Sequence, residues 1–357
     1  MPIARELMSY EQSQHRCRGL MVGLGVGNLL GIPQEGWPRD AVGASYPNGV
    51  RDIEVETGEP DDDDLAQAII LAEAAIDGGA GELDVEVIGR RFWVWAEENG
   101  RGIGIQTADV LSRIGGDRPR CAGGAGVQAR EPSGVPALEA ARQFWEESGW
   151  YSAGNGAVMR CAPLAIRWMG DDVALARNTA LSAVVTHADP RCIWSAAVVN
   201  FAIAMLLRGE AVRVSDVVAR VQQVAERLRD SLSDLGIEGA VPETVVEACS
   251  IPSGIAPVDL VLDGGDMGYT LKAMQVALWC ADQAADFEEA LVAVVSASGD
   301  TDTNGAVAGA ALGARFGLNA TPTRWREQLA EVRQGREPLE VLADRVVGAS
   351  GSAALNL

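Results

Sequence analysis

The sequence contains no Cys-X-X-Cys pair. Its cysteines (Cys17, Cys121, Cys161, Cys192, Cys249 and Cys280) are scattered along 357 residues. That excludes a zinc ribbon or a redox dithiol and fits buried, reduced thiols in a cytoplasmic protein. Positive charge is scarce as well: 29 Lys and Arg against 50 Asp and Glu give a net charge of −21. Binding along a nucleic acid needs a basic surface, so nucleic acid is excluded as a main partner. A small phosphorylated ligand is not excluded, because a bound cation and backbone amides reverse the field locally. The apolar runs around 19–33 and 195–207 fall short of a membrane span and contain small or polar residues, so no membrane partner is expected. The first run imitates a signal-peptide core, but a long polar stretch with acidic residues precedes it and no clean small-residue cleavage site follows. Histidine occurs only at His15 and His187, and there is no internal repeat.

Alternating strand patterns are missing too. Apolar residues recur at helical spacing, as in Leu65, Ala68, Ile69 and Ala72 of segment 64–76. Segments 84–98, 172–185, 190–207, 214–235, 268–284, 287–297, 305–316 and 323–332 read alike. Val and Ile are abundant but sit in helical stripes. The expectation is an all-α fold, a compact multi-helix domain of roughly ten or more helices. Hydrophobic residues make up 48% of the chain, enough for a large core, and no shift in composition marks a linker. Residues 1–347 therefore read as one domain and 348–357 as a loose tail. Stretches 32–60 and 114–136 read as irregular. The second is long for a loop in a compact domain, and either could lie over a ligand site.

Against this background stands Ser298-Gly299-Asp300-Thr301-Asp302-Thr303-Asn304-Gly305, at the start of a predicted helix. Asp300, Asp302 and Thr303 offer oxygen ligands that suit a hard cation such as Mg²⁺. Asp and Thr also cap helix N-termini, but a cap needs one such residue and the second carboxylate is surplus. Asp61-Asp62-Asp63-Asp64 opens another predicted helix. Acidic runs are commonly solvated faces, and the helix dipole favours carboxylates in the first turn. Four in a row repel one another, and a cation would relieve that repulsion. A metal site built from helix N-termini is therefore expected, with the pairing of the two clusters left open. Gly154-Asn155-Gly156-Ala157-Val158-Met159-Arg160 is either a phosphate-binding row of backbone N–H groups or an ordinary turn with a helix cap. Gly102-Ile103-Gly104 is a second stretch of that kind. His187 lies between two predicted helices and either hydrogen-bonds locally or contacts a ligand phosphate; His15 is given no role.

Together and in this order, the segments resemble the ADP-ribosylglycohydrolase family, which includes the dinitrogenase-reductase-activating glycohydrolases and the ADP-ribosylarginine and ADP-ribosylserine hydrolases. The stretch from Gly23 to Glu35 is similar to the family's opening helix and following glutamate. Residues 154–163 are similar to its GNGAxMRxAP segment, and Thr186-His187-Ala188-Asp189-Pro190 to its TH-x-[DS]-P segment. Gly268-Tyr269 with Ala277-Leu278-Trp279 is similar to its GY…ALW helix, and 299–309 to its GGDTDTxxAxAG metal motif. The resemblance runs from about 19 to 325. It implies an all-α fold with two Mg²⁺ or Mn²⁺ ions. It also implies a hydrolase that cleaves at the ribose anomeric carbon of an ADP-ribosylated substrate, such as an ADP-ribosylated protein.

The implied metal ligands are Asp62, Asp63, Asp64, Asp300, Asp302 and Thr303. Glu35, Asp63 and Asp302 are the implied catalytic residues, with Glu35 reaching the metal or the ribose. Ser152, Gly154, Asn155 and Gly156 would hold the diphosphate, helped by Gly102, Gly104 and His187, and Tyr269 would lie near the adenosine. Three positions depart from the pattern. Asn28 stands where the family usually has Asp, Asp62 where it has Thr, and Leu65 where it has Thr or Ser. The first could weaken a contact behind the ligands. The second adds charge to the centre and leaves the register of the aspartates open by one. Two other readings stay open: the same chemistry on a nucleotide- or NAD-derived small molecule, and a non-catalytic ADP-ribose-binding member.

Overall fold

In the computed structural model, residues 9–79, 81–116 and 134–350 are described. Among them the chain forms sixteen α-helices and four short 3-10 turns, and the one isolated bridge pairs Gly154 with Tyr269. The all-α expectation holds. Helices Asp63–Asp77, Pro190–Leu207 and Thr323–Val332 lie where the apolar periodicity puts them. Periodicity missed Arg39–Ser45, Ile105–Gly115, Ala137–Glu147, Ala162–Trp168, Glu243–Ala248 and Leu339–Ala349. Arg39–Ser45 falls inside the stretch expected to be irregular and, at 7 residues, is too short to show a stripe. The last helix runs to Ala349, into the expected tail. The rest of that tail from 351, and 117–133 of the expected long loop, lie outside the described residues.

Helix Pro190–Leu207 starts cleanly. The Asp189 carboxylate accepts from the Arg191 backbone N–H, and Pro190 occupies a first-turn position where no N–H is needed. Its 18 residues, with mean hydropathy 1.6, are long and apolar enough to cross a membrane, contrary to the sequence expectation, yet 89% of it is buried inside the protein. It is a core helix, packed against Asp172–Ala183 and Thr270–Asp282.

The opening helix Tyr10–Gly31 lies antiparallel to helix Thr301–Phe316, and this contact places the acidic motif. Gly19, Gly23 and Gly27 face Gly313, Gly309 and Gly305. A Cβ on Gly27 would lie 1.9 Å from the Gly305 carbonyl oxygen, and one on Gly31 would lie 2.1 Å from that of Thr301. The two backbones touch, which only glycine permits. Thr301 Oγ1 then donates to the Gly31 carbonyl at 2.6 Å. The end of the opening helix is thereby fixed against the first turn that carries Asp302. We expect Gly27→Ala to destabilise the fold by about 3 kcal/mol, since the backbones must part. Denaturant unfolding measures this; an unchanged midpoint would show that the contact yields freely.

Candidate active site

Two helix N-termini meet across the molecule. Asp62 precedes helix Asp63–Asp77 and Asp300 precedes Thr301–Phe316, each in the capping position, and neither side chain caps its helix. The carboxylates turn toward one another. Carboxylate oxygens of Asp62, Asp64 and Asp302 lie within 4.8 Å of each other, and so do those of Glu35, Asp300 and Asp302. The two triads share Asp302. Three of these five residues (Asp62, Asp64 and Asp302) are buried, and Glu35 lies at the open edge.

Burial and the neighbouring carboxylates push Asp63, Asp64 and Asp302 well above the usual carboxylate range. Burial also raises Glu35 and Asp62, the latter opposed by Arg101. Asn28 Nδ2 donates to Asp64 Oδ2 at 3.4 Å, and the neighbouring Thr303 hydroxyl partly offsets the upward push on Asp64. Asn28 therefore reaches the carboxylate cluster despite departing from the family's aspartate. Asp64 Oδ1 is buried and meets no donor. An orphaned carboxylate oxygen inside a nest of carboxylates fits a hard divalent cation, which takes oxygen donors and offsets their repulsion.

Asp61 stands apart from the cluster. Arg333 donates to it through Nε at 2.9 Å and Nη2 at 3.1 Å, and Arg336 through Nη1 at 2.8 Å. Of the four aspartates, Asp61 is the one held by this pair of arginines. Asp61 anchors the C-terminal arginines, while Asp62 and Asp64 face Asp302. Asp63 lies in the same first turn but outside both triads. It faces Gly102, where an added Cβ would lie 2.6 Å from its Oδ1 and 2.2 Å from Asp62 Oδ1. Gly102, at φ +75°, therefore makes room for the aspartates. We expect Asp61→Ala to destabilise the protein by about 3 kcal/mol, by stranding Arg333 in a buried site, while metal affinity stays within a few-fold of wild type. Calorimetric metal titration beside denaturant unfolding checks both; a collapse of metal affinity without loss of stability would place Asp61 among the ligands.

The glycine loop closes the other side. Asn155 Nδ2 donates to Asp300 Oδ2 at 2.8 Å, and the Asn155 backbone N–H donates to the Gly268 carbonyl at 2.9 Å. Asn155 thus ties the loop to the acidic cluster, and its N–H is not free for a phosphate. Gly154 and Gly156 face the His187 ring. Ser152 Oγ donates to Gln106 Oε1 at 2.6 Å, and Gln106 Nε2 donates to the Thr186 carbonyl at 3.0 Å. Gln106 was not found from the sequence; its one signal is that it follows the Gly104 N-cap of helix Ile105–Gly115. Arg191 and Tyr151 were missed as well. The Arg191 guanidinium carbon lies 5.8 Å from the ring centres of both Tyr151 and Tyr269, forming a planar rim beside the loop.

A strained turn sets Glu35. Ser298 holds a left-handed φ of 70° and is fully buried. Its hydroxyl donates to the Trp37 carbonyl, and the Gly36 N–H donates to the Gly299 carbonyl at 2.8 Å. The segment carrying Glu35 is thus stitched to the turn carrying Asp300.

Comparison with known proteins bears on the fold and the family. Residues 9–355 match the family model for ADP-ribosylglycohydrolase. An uncharacterized protein of Archaeoglobus fulgidus is 28% identical over 348 residues, covering 93% of this chain and 96% of its own. The ADP-ribosyl-[dinitrogen reductase] glycohydrolase of Rhodospirillum rubrum is 23% identical, over 92% of this chain and 96% of its own. A solved structure described as an ADP-ribosylglycohydrolase-related protein complex aligns with a TM-score of 0.65 at 26% identity, over 96% of this chain and all of that one. Near-complete coverage by the family model, together with this shared helical fold, shows that the chain belongs to the ADP-ribosylglycohydrolase family, hydrolases of glycosidic bonds.

Proposed function

We propose that the protein is a metal-dependent hydrolase that cleaves the bond between the ribose anomeric carbon and its substituent in an ADP-ribosylated substrate. The observation that carries this reading is the pair of carboxylate triads joined at Asp302. Such bonds break through an oxocarbenium-like transition state. One or two Mg²⁺ or Mn²⁺ ions, held by Asp62, Asp64, Asp300, Asp302 and Thr303 with Glu35 at the edge, would supply Lewis acidity and lower the pKa of a bound water.

The chain's own residues position and exclude. Asn28 orients Asp64, and Asn155 orients Asp300. Glu35 is the carboxylate nearest solvent, with a pKa raised by partial burial and by Asp300, so it is placed to take a proton from water attacking the anomeric carbon. Asp63 packs beside Asp62 against Gly102, at the edge of the acidic cluster. Ser152, Gly154, Gly156 and Gly104 with His187 form the proposed diphosphate subsite. Tyr269 and Tyr151 offer ring faces to the adenine. Binding energy from these remote groups positions the reacting carbon.

An ADP-ribosylated protein is the proposed partner; support comes from the R. rubrum relative, which is named for a modified protein. A cytoplasmic location is proposed as well, supported by the buried, unpaired Cys17, Cys161, Cys192, Cys249 and Cys280. The test is release of ADP-ribose from ADP-ribosyl-arginine and ADP-ribosyl-serine peptides, with Mg²⁺ or with chelator. Release from at least one conjugate, lost in chelator and restored by Mg²⁺ or Mn²⁺, is expected. Undiminished release in chelator would remove the metal from the reaction. Turnover only of a nucleotide-derived small molecule would replace the substrate.

A further inference from the structure

Arg160 ends the glycine-loop segment and is fully buried. Its Nη1 donates to Gln67 Oε1 at 2.6 Å. Its Nη2 donates to the Ser182 carbonyl at 3.2 Å and to Thr186 Oγ1 at 2.7 Å. The guanidinium carbon lies 4.6 Å from the centre of the Phe92 ring. These contacts fix a planar fork in one orientation. Gln67 lies one turn beyond Asp63 and Asp64, on the same helix face. Thr186 Oγ1 in turn lies 2.7 Å from His187 Nδ1. A continuous line of hydrogen bonds therefore runs from the acidic helix to the imidazole that faces Gly154 and Gly156.

The polarity of that line follows from its donors. A guanidinium only donates, so Thr186 Oγ1 accepts from Arg160 and keeps one proton to place. Thr186 is fully buried and His187 only 2% exposed. A proton on Nδ1 would point at the same oxygen and leave the buried hydroxyl proton without an acceptor, an arrangement that folded proteins avoid. Donation from the hydroxyl to Nδ1 satisfies both groups and puts the ring proton on Nε2. Burial and the Arg160 charge hold the imidazole well below its usual pKa, so the doubly protonated ring does not compete. Among the described residues no acceptor meets Nε2. A Cβ built on Gly156 would lie 3.0 Å from that atom, and one on Gly154 3.3 Å.

We infer that Arg160 is a positioning residue: acting through Thr186, it locks His187 as a neutral imidazole whose Nε2–H is turned to the glycine loop as a donor for a phosphoryl oxygen. The choice of ligand rests on the proposed diphosphate subsite; the tautomer does not. The locked ring adds a directed hydrogen bond without adding charge.

Histidine ¹⁵N NMR on the full chain reads the lock directly. The chain has 2 histidines, and His15→Gln assigns them. In the wild type we expect unprotonated Nδ1 and protonated Nε2 for His187, unchanged from about pH 5.5 to pH 8. Thr186→Val removes the hydroxyl and should give mixed tautomers, Thr186→Ser should restore the wild-type signals, and Arg160→Met, which offers Thr186 no donor, should behave as Thr186→Val does. ADP-ribose affinity should fall about ten-fold in Thr186→Val and recover in Thr186→Ser, with the metal-induced thermal shift unchanged in both. Protonated Nδ1 in the wild type, or wild-type signals in Thr186→Val or in a folded Arg160→Met, would overturn the inference. If Arg160→Met does not fold, the Thr186 pair decides. A tautomer change with unaltered ADP-ribose affinity keeps the lock and overturns its place at the diphosphate subsite.

Discussion

Replacing Asp302 by asparagine should lower kcat by about 10³-fold or more while leaving the fold intact, since several kcal/mol of transition-state stabilisation would ride on the proposed metal site. Asp302 is the one carboxylate common to both triads, so its loss weakens both at once. Asparagine keeps the shape and removes the charge. Asp302 resists ionisation because of its burial and its acidic neighbours. The chelated Asp302→Asn protein should therefore be more thermally stable at pH 8 than the chelated wild type, even as it loses turnover. Asp300→Asn touches one triad only and should cost less activity. Conjugate turnover, circular dichroism and melting curves test this together. Wild-type kcat in a variant that still binds metal would remove Asp302 from the chemistry.

Metal should stabilise the protein, and more so as pH rises. Glu35, Asp62, Asp63, Asp64 and Asp302 all have folded-state pKa values above their ordinary 4.5 or 3.8. The chelated folded protein therefore holds protons that the unfolded chain releases. The contribution of these groups to stability is fully present below those ordinary values and is lost as pH rises through the raised ones. A bound cation reverses this by favouring the ionised ligands. At metal concentrations about 100-fold above Kd the gain is about 2.7 kcal/mol, or roughly 5 °C in Tm for a chain of this size. The metal-induced shift should be small at pH 5 and grow toward pH 8. A shift that shrinks with rising pH would contradict the carboxylate site.

Much of this was legible in the sequence. Long periodic segments such as 190–207 and 323–332 came out with their observed bounds. The acidic clusters were legible because two carboxylates at one helix start exceed what capping needs. The structure shows both capping-position aspartates, Asp62 and Asp300, declining to cap. The register of Asp61–Asp64 was not legible, because only the fold brings Arg333 and Arg336 to Asp61. The glycines of the opening helix read as an apolar segment. Their role depends on a partner helix some 280 residues away in the chain, a pairing that no local pattern encodes. Gln106 and Arg191 belong to no motif, since only long-range contacts bring them to the glycine loop. Asn155 was picked for its backbone N–H and instead contributes its side chain to Asp300.

The most direct test of the central claim is calorimetric titration of ADP-ribose into chelator-treated protein, with and without Mg²⁺ or Mn²⁺. The expected result is binding that appears with metal, disappears in chelator and is lost in Asp302→Asn. Tight metal binding with no affinity for ADP-ribose, or ADP-ribose binding indifferent to both metal and Asp302, would contradict a metal-assisted ADP-ribosyl site.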